Sequence, residues 1–287
     1  MLENYEMILI DYNGIAIGNF VVQKLAVDEN LIRHMILNSI RMYRQKFGKE
    51  YGEIVIVADG TNNWRKEAYP QYKANRKKSR EESTIDWDEA FRILNMVRDE
   101  IRDNFPYKVI HQDGCEADDS IAQIALATEE FGRYEKVMII SADKDFAQLQ
   151  HLDNIRQYSP MTKKLIVEKN PRLFLHEHIL KGDTSDGVPN VLSDDMVFVD
   201  GRRQTPLSKK KKEALMEDPM ALGEEVHRNY LRNKKMIDLT ELPESIKEKI
   251  INNFDSQDPK DNKSKVLNYL IQKRCRLLIE SVGEFIS

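Results

Sequence analysis

Four short β-type runs, residues 7–10 (MILI), 54–57 (IVIV), 108–110 (KVI) and 137–140 (VMII), constrain most strongly what this chain can fold into. They are continuous rather than alternating, the pattern of strands covered on both faces. Helical patterns separate them. From about 30 to 47 apolar residues recur every three or four positions (Leu31, Met35, Ile36, Ile40, Tyr43, Phe47), and from Asp86 the same spacing runs through Phe91, Leu94, Val97 and Ile101. Asp86 followed by Glu89 matches a capping box. Strands alternating with helices predict an α/β fold, a central, mostly parallel sheet flanked by helices. After about residue 170 helical patterns continue alone. Asn170 and Pro171 open the first, and stretches at 176–181, 209–216, 221–233, 245–254 and 265–282 follow. The expected division is an α/β domain over 1–170 and a smaller helical C-terminal domain over 171–287.

A chain of 287 residues, 41% hydrophobic and 32% charged, is large enough for a substantial core and too apolar for wholesale disorder. No stretch approaches 18 consecutive apolar residues and no signal-peptide pattern opens the chain, so no membrane contact is expected. Cys115 and Cys275 lie far apart without a CxxC pair, which points away from disulfide frameworks and zinc clusters and towards a reducing cytoplasm. The net charge of −4 conceals sorting along the chain. Residues 64–80 (WRKEAYPQYKANRKKSR) hold seven Lys or Arg against one Glu, and residues 201–212 (GRRQTPLSKKKK) hold six basic residues and no acid. Local contact with a polyanion explains such stretches better than general attraction. The second is equally a solvated loop. In the first, Trp64, Tyr69 and Tyr72 interleave with the cations, a composition suited to unpaired bases and phosphates.

Acidic residues fall where an open parallel sheet puts its binding site, at the carboxyl ends of the strands. Asp11 ends the first run, Asp59 the second, and Asp143 and Asp145 follow the fourth; Glu116, Asp118 and Asp119 (CEADD) follow the third and open a helix. Any one of these is equally a turn residue or a helix N-terminal charge. Their conjunction at four strand ends is not explained that way. Seven carboxylates on one edge repel unless something positive sits among them, and hard divalent ions, Mg²⁺ or Mn²⁺, suit an oxygen-only ligand set. Spread over several strands, the ligands can hold two ions about 4 Å apart for attack on a phosphodiester. Asp183 and Asp186 (KGDTSDGVPNV) lie between helical segments, flanked by Gly182 and Gly187, which permit tight turns; spacing alone leaves them an ordinary loop or further ligands. His176 and His178, two apart on a helix, point in different directions and are poor candidates for a shared metal. Trp87 reads as core.

The ordered set ILID, IVIVADG, WRKEAYPQYKANR, CEADDSIA, ISADKDFAQL and KGDTSDGVPNV resembles the structure-specific 5′ nucleases: flap endonucleases, the 5′ nuclease domain of bacterial DNA polymerase I and phage 5′ exonucleases. The likeness covers nearly the whole chain. It extends to the ribonuclease H branch of T-even-type bacteriophages through REESTIDWDEAF, QYSPMTKK, ILKGD and the ending GEFIS. The resemblance implies a PIN-like 5′ nuclease fold and two divalent metals. Asp59, Glu116, Asp118 and Asp143 would serve the first metal or bridge, with Asp11 close by; Asp119, Asp145, Asp183 and Asp186 would lie nearer the second. It implies a basic arch at about 64–85 through which a 5′ strand passes, with Arg65, Lys73 and Arg76 steadying the scissile phosphate and Lys66, Tyr69, Tyr72, Lys77, Lys78 and Arg80 contacting nucleic acid. The loop from Gly182 through Gly187 to Val191 would be a helix-turn-helix-like grip on duplex backbone.

The expected activity is therefore metal-dependent 5′ to 3′ exonuclease and flap endonuclease cleavage with ribonuclease H activity, removing RNA primers and 5′ flaps in phage lagging-strand replication. Substrates would be 5′-flap or forked DNA and RNA–DNA hybrids. The enzyme would be a monomer in the host cytoplasm. The resemblance also implies a surface for a single-stranded DNA-binding protein, whereas few residues precede the first strand to form a sliding-clamp peptide. NVLSDDMVF replaces the Gly-rich hairpin of polymerase-type members, so a monovalent-ion site is not expected there. The alternatives are a PIN-type endoribonuclease, which lacks the arch and helical portion, and a non-catalytic nucleic-acid-binding protein, which need not keep nine carboxylates.

Overall fold

The computed structural model describes residues 6–22, 27–76, 80, 82–129 and 135–286, with the backbone alone at 19–22. Among these, six strands form one sheet: β1 (Met7–Asp11), β2 (Glu53–Ala58), β3 (Lys108–His111), β4 (Val137–Ile140), β5 (Ile155–Ser159) and β6 (Lys164–Ile166). The order is β3-β2-β1-β4-β5-β6, parallel throughout except for β6, which runs antiparallel to β5. The expected α/β architecture is borne out, and the first four strands are the four apolar runs. Two strands escaped the sequence pattern. IRQYS carries Arg156 and Gln157, yet Gln157 is buried because its amide donates to the carbonyls of Ser141 and Asp143. Satisfied in this way, a polar side chain tolerates a strand interior.

Alternation along each strand feeds two cores. Ile8, Ile10, Ile54 and Ile56 pack on one face; Met7, Leu9, Val55 and Val57 pack on the other. The first face is covered by α1 (Tyr12–Val22), α2 (Glu29–Tyr51) and α4 (Trp87–Asn104). Asp28 caps α2 by accepting from the Leu31 amide at 2.8 Å, and Asp86 caps α4 by accepting from that of Glu89. Leu31, placed by its spacing on the apolar face, is exposed in that first turn. The second face is covered by α5 (Ala117–Ala127) and the 3₁₀ segment Lys144–His151. Short α3 (Trp64–Ala68) follows β2, the Trp64 amide donating to the Gly114 carbonyl beyond β3.

Beyond residue 170 come α6 (Pro171–Lys181), α7 (Lys209–Glu217), α8 (Glu224–Ile237) and α9 (Glu244–Asp255). The single helix expected over 265–282 is instead broken into α10 (Val266–Gln272) and α11 (Arg276–Ile279), with α12 (Gly283–Ile286) after them. Arg274 between the first two takes a left-handed φ of 55°. That turn lets Leu270, Leu278 and Phe285 all reach the core shared with Ile8. Met236, Ile237 and Ile250 join the opposite core, so residues on both sides of 170 build each one. No helix among the described residues is long and apolar enough to cross a membrane.

The chain runs outward from β1 through β2 to β3 and then returns to place β4 on the other flank of β1. The crevice beyond the carboxyl ends of β1 and β4 is where such a sheet accepts a ligand.

Candidate metal centre and nucleic-acid interface

Asp11 closes β1 at that crevice. Its Oδ1 accepts from the Gly14 amide at 2.8 Å and its Oδ2 from the Ser141 hydroxyl, just past β4, at 2.9 Å. A side chain at position 14 would displace this carboxylate, since a Cβ there would lie 2.2 Å from Asp11 Oδ2. Asp59 follows β2 and accepts from the Ala117 amide at 2.9 Å, joining that strand to the first turn of α5. Glu116 is the N-cap of α5 and Asp118 lies in its first turn, and Asp143 caps the 3₁₀ segment by accepting from the Asp145 amide. Parallel register brings these groups together from four separate stretches of chain.

The basic residues divide the acids into two sets. Lys73 Nζ lies 2.6 Å from Glu116 Oε1 and 3.5 Å from Asp186 Oδ2, and Arg76 Nη2 is 2.7 Å from Asp186 Oδ1. Arg65 pairs with Asp119 at 2.7 Å, while Lys144 lies 3.0 Å from Asp183. Among the described residues no cation comes within ion-pair distance of Asp11, Asp59, Asp118 or Asp143. Burial, with Asp59 and Asp143 nearby, pushes Asp11 up to about 6 against the opposing hydrogen bonds from Gly14 and Ser141. Desolvation and then Asp145 raise Asp143 to about 6 as well, and burial, Asp143 and Asp11 push Asp118 well above the usual carboxylate range. Four crowded carboxylates held reluctant to ionise, with no described side-chain cation within ion-pair distance, fit hard divalent ions.

Several residues occupy different surroundings from those expected. Trp64, Tyr69 and Tyr72 are 6%, 3% and 4% exposed and pack in the second core, so their rings are not presented to bases. Their polar tips face inward. Trp64 Nε1 donates to Asp119, Tyr69 donates to the Asp195 carbonyl, and Tyr72 donates to Glu116 and Asp186. Arg65, 2% exposed, donates from Nε to the Met236 carbonyl and from Nη1 to Asp119; it braces the site from within instead of facing the cleft. Asp119 Oδ2 also receives the Glu116 amide, leaving Oδ1 buried without a partner among the described residues. Rather than standing clear of the body, the described part of the basic stretch is tied down at Lys73: its amide donates to the Asp186 carbonyl at 2.7 Å, with Lys73 itself at a left-handed φ of 56°. Lys77 and Lys78 lie outside the described residues.

A cleft of about 990 Å³ opens beside these acids, lined among others by Asp59, Glu116, Lys66, Lys73, Arg76 and Trp87. Arg80 stacks its guanidinium over Trp87 and Phe91 at 5.9 and 4.9 Å. Trp87, expected in the core, lines this cleft instead. The loop after α6 needs both its glycines. Gly182 (φ 69°) would put a Cβ 2.4 Å from the Val188 carbonyl, and Gly187 (φ 73°) lies against Gln71 of the basic stretch. In the other basic stretch, Arg202 pairs with Asp194 and Asp200, and Lys212 with Glu177.

His178 is the residue that sequence reasoning set aside. It is buried, with Nε2 3.2 Å from Asp145 Oδ1 and 3.5 Å from Asp183 Oδ2. Burial opposes charge on its ring, but these two carboxylates hold it up to about 9; Asp183 is driven far down, against its own burial, by His178, Ser185 and Lys144. Comparing it only with His176 on the same helix hid partners that come from other elements.

Residues 6–176 match the 5′-3′ exonuclease, N-terminal resolvase-like domain family, and residues 170–285 match the T4 RNase H, C terminal family. The chain belongs to the 5′-3′ exonuclease family. It is 34% identical to the Ribonuclease H of Enterobacteria phage T4 over 96% of this chain and 95% of that protein. It is 29% identical to a 5′-3′ exonuclease of Buchnera aphidicola subsp. Schizaphis graminum over 60% of each. The T5 5′-exonuclease solved with divalent metal ions (zinc) shares the fold, with a TM-score of 0.61 at 17% identity over 87% of this chain and 98% of that one. Membership of the 5′-3′ exonuclease family makes the chain a nuclease, a phosphodiester hydrolase.

Proposed function

We propose that this nuclease is a Mg²⁺-dependent 5′ to 3′ exonuclease and flap endonuclease with ribonuclease H activity, using two divalent ions for which Mn²⁺ substitutes. The observation that carries the metal reading is the set Asp11, Asp59, Asp118 and Asp143, converging with no side-chain cation within ion-pair distance among the described residues, and with all four members raised above the ordinary carboxylate range. Those four with Glu116 would hold one ion; Asp145, Asp183 and Asp186, backed by Asp119, would hold the other. Bound divalent ions would supply acidification of the attacking water and neutralisation of the departing oxygen.

The chain's own groups do the positioning. Lys73 and Arg76 release Glu116 and Asp186 in favour of phosphate oxygens and offset the charge that develops there. Arg65 keeps Asp119 and the N-terminus of α5 in register from the interior. Lys66 and Arg80 line the cleft beside the entering strand, and the loop from Gly182 to Gly187, on the helical domain from 171 onward, contacts duplex backbone. Contacts of this kind to phosphates carry no sequence information, so a 5′ end, a junction and a duplex define the substrate.

The relatives support the same substrates. One similar protein is named Ribonuclease H, others are named flap endonuclease Xni, and the T5 flap endonuclease is solved with DNA and metal ions. Removal of primers and flaps in phage replication in the host cytoplasm, by a monomer beside a single-stranded DNA-binding protein, fits that reading. The test is Mg²⁺-dependent cleavage of a 5′-flap DNA, an RNA primer on DNA, and free single-stranded RNA. The first two are cut from the 5′ end. Cutting of only the free RNA would favour an endoribonuclease, and no cutting with any divalent metal would leave a non-catalytic binding protein.

A further inference from the structure

The second metal position of the two-ion reading has a feature that oxygen ligands alone do not explain. His178, on α6, is 8% exposed. Its Nε2 is buried without a hydrogen-bond partner among the described residues, and so is Asp145 Oδ1, although the two atoms are only 3.2 Å apart. Asp183 Oδ2 is 3.5 Å from the same nitrogen, and the three donor atoms all lie within 4.8 Å of one another. Close approach without hydrogen-bond alignment costs a buried polar atom its compensation, unless the atoms face a shared point rather than each other. Separations of about 3–3.5 Å are those of neighbouring ligands around an ion bound at about 2.0–2.2 Å.

The surroundings fix this arrangement. Asp183 Oδ1 accepts from the amide and the hydroxyl of Ser185, which leaves Oδ2 for the nitrogen. The Phe174 ring stacks on the imidazole at 5.7 Å and 15°, setting its plane. Lys144, the cation now beside Asp183 Oδ2, has a side chain 54% exposed, so water is at hand to solvate its charge when an ion takes its place.

We propose that His178 Nε2 is a ligand of the second metal, completing an Asp145–His178–Asp183 face that binds first-row transition cations such as Mn²⁺ or Co²⁺ more tightly than Mg²⁺. Imidazole suits first-row transition ions, whereas Mg²⁺ prefers oxygen and water. The inference rests on the two-ion reading and adds a nitrogen to it.

Pulsed EPR on the full chain titrated with Mn²⁺ alone separates the two. The expected result is ¹⁴N coupling to one of two bound Mn²⁺ ions. The coupling disappears in His178→Gln, with affinity for that ion falling by about tenfold or more and Mg²⁺ affinity changing less. Two bound Mn²⁺ ions without nitrogen coupling overturn the ligand and leave the two-ion reading intact. Absence of bound Mn²⁺ overturns both. Tighter Mn²⁺ binding in His178→Gln would mark the imidazole as a competing positive charge and would also overturn the ligand. The wild-type spectrum decides even where His178→Gln fails to fold.

Discussion

At the scale of single residues, charge and shape separate cleanly at Asp118. Asn has the same shape without the charge, so Asp118→Asn should lower turnover by about 10²–10³-fold, the scale of losing one preorganised electrostatic group. Substrate affinity should stay within about threefold, because binding rests on phosphate contacts elsewhere. Single-turnover cleavage with a parallel binding titration checks both; near-normal turnover would remove Asp118 from the ligand set. Arg76, whose side chain is 48% exposed, reaches Asp186 from the cleft side. Arg76→Ala should weaken flap binding and reduce the salt slope of log K by about one, and an unchanged slope would count against a phosphate contact. The acids were legible in the sequence because a strand end is a fixed address. Trp64, Tyr69 and Tyr72 were misread because composition names a ring without saying which way it faces.

At the scale of elements, a buried ionic knot ties α2, α4 and α10. Arg33, 1% exposed, donates to Glu29 and from Nε to Glu100 at 2.8 Å, while Tyr269 and Lys273 also engage Glu100. The Glu100 carboxyl is held below its ordinary range by Arg33, Lys273 and Tyr269 against the cost of burial. Removing one partner strands the other, so Arg33→Met should destabilise the protein by about 3 kcal/mol, the lower end of the range for a broken buried pair because Lys273 remains. Urea unfolding measures this, and a loss below about 1 kcal/mol would show the knot to be dispensable. No sequence pattern announced it. Helical spacing marks an arginine as a surface residue, and only the packing of a C-terminal helix over α2 and α4 encloses it.

At the scale of the molecule, the acid cluster should set how stability responds to pH when no metal is bound. Asp11 and Asp143 titrate at about 6 in the fold against 3.8 for the unfolded chain. Raised values mean the native state holds its protons longer, so the contribution of these groups is full below about pH 4 and is lost as pH rises through about 6. The metal-free protein should therefore lose melting temperature between about pH 4 and 6, beyond any change in an Asp11→Asn/Asp143→Asn variant. Mn²⁺ should restore it by binding the native state alone. A metal-free melting temperature that rises through that window would contradict the cluster's strain.

By itself the sequence determined the alternation of strand and helix, the first four strands and the placement of carboxylates at their ends. These are local properties: period, apolar continuity and the chemistry of a residue next to a strand. The tertiary structure alone decided which acids are neutralised by Arg65, Lys73, Arg76 and Lys144 and which have no ion-pair partner among the described residues. It alone turned the aromatic residues inward, broke the last helix at Arg274 and set His178 between Asp145 and Asp183. Pairing of charges, like enclosure of a ring, depends on distances between segments far apart in the chain, which local periodicity does not record.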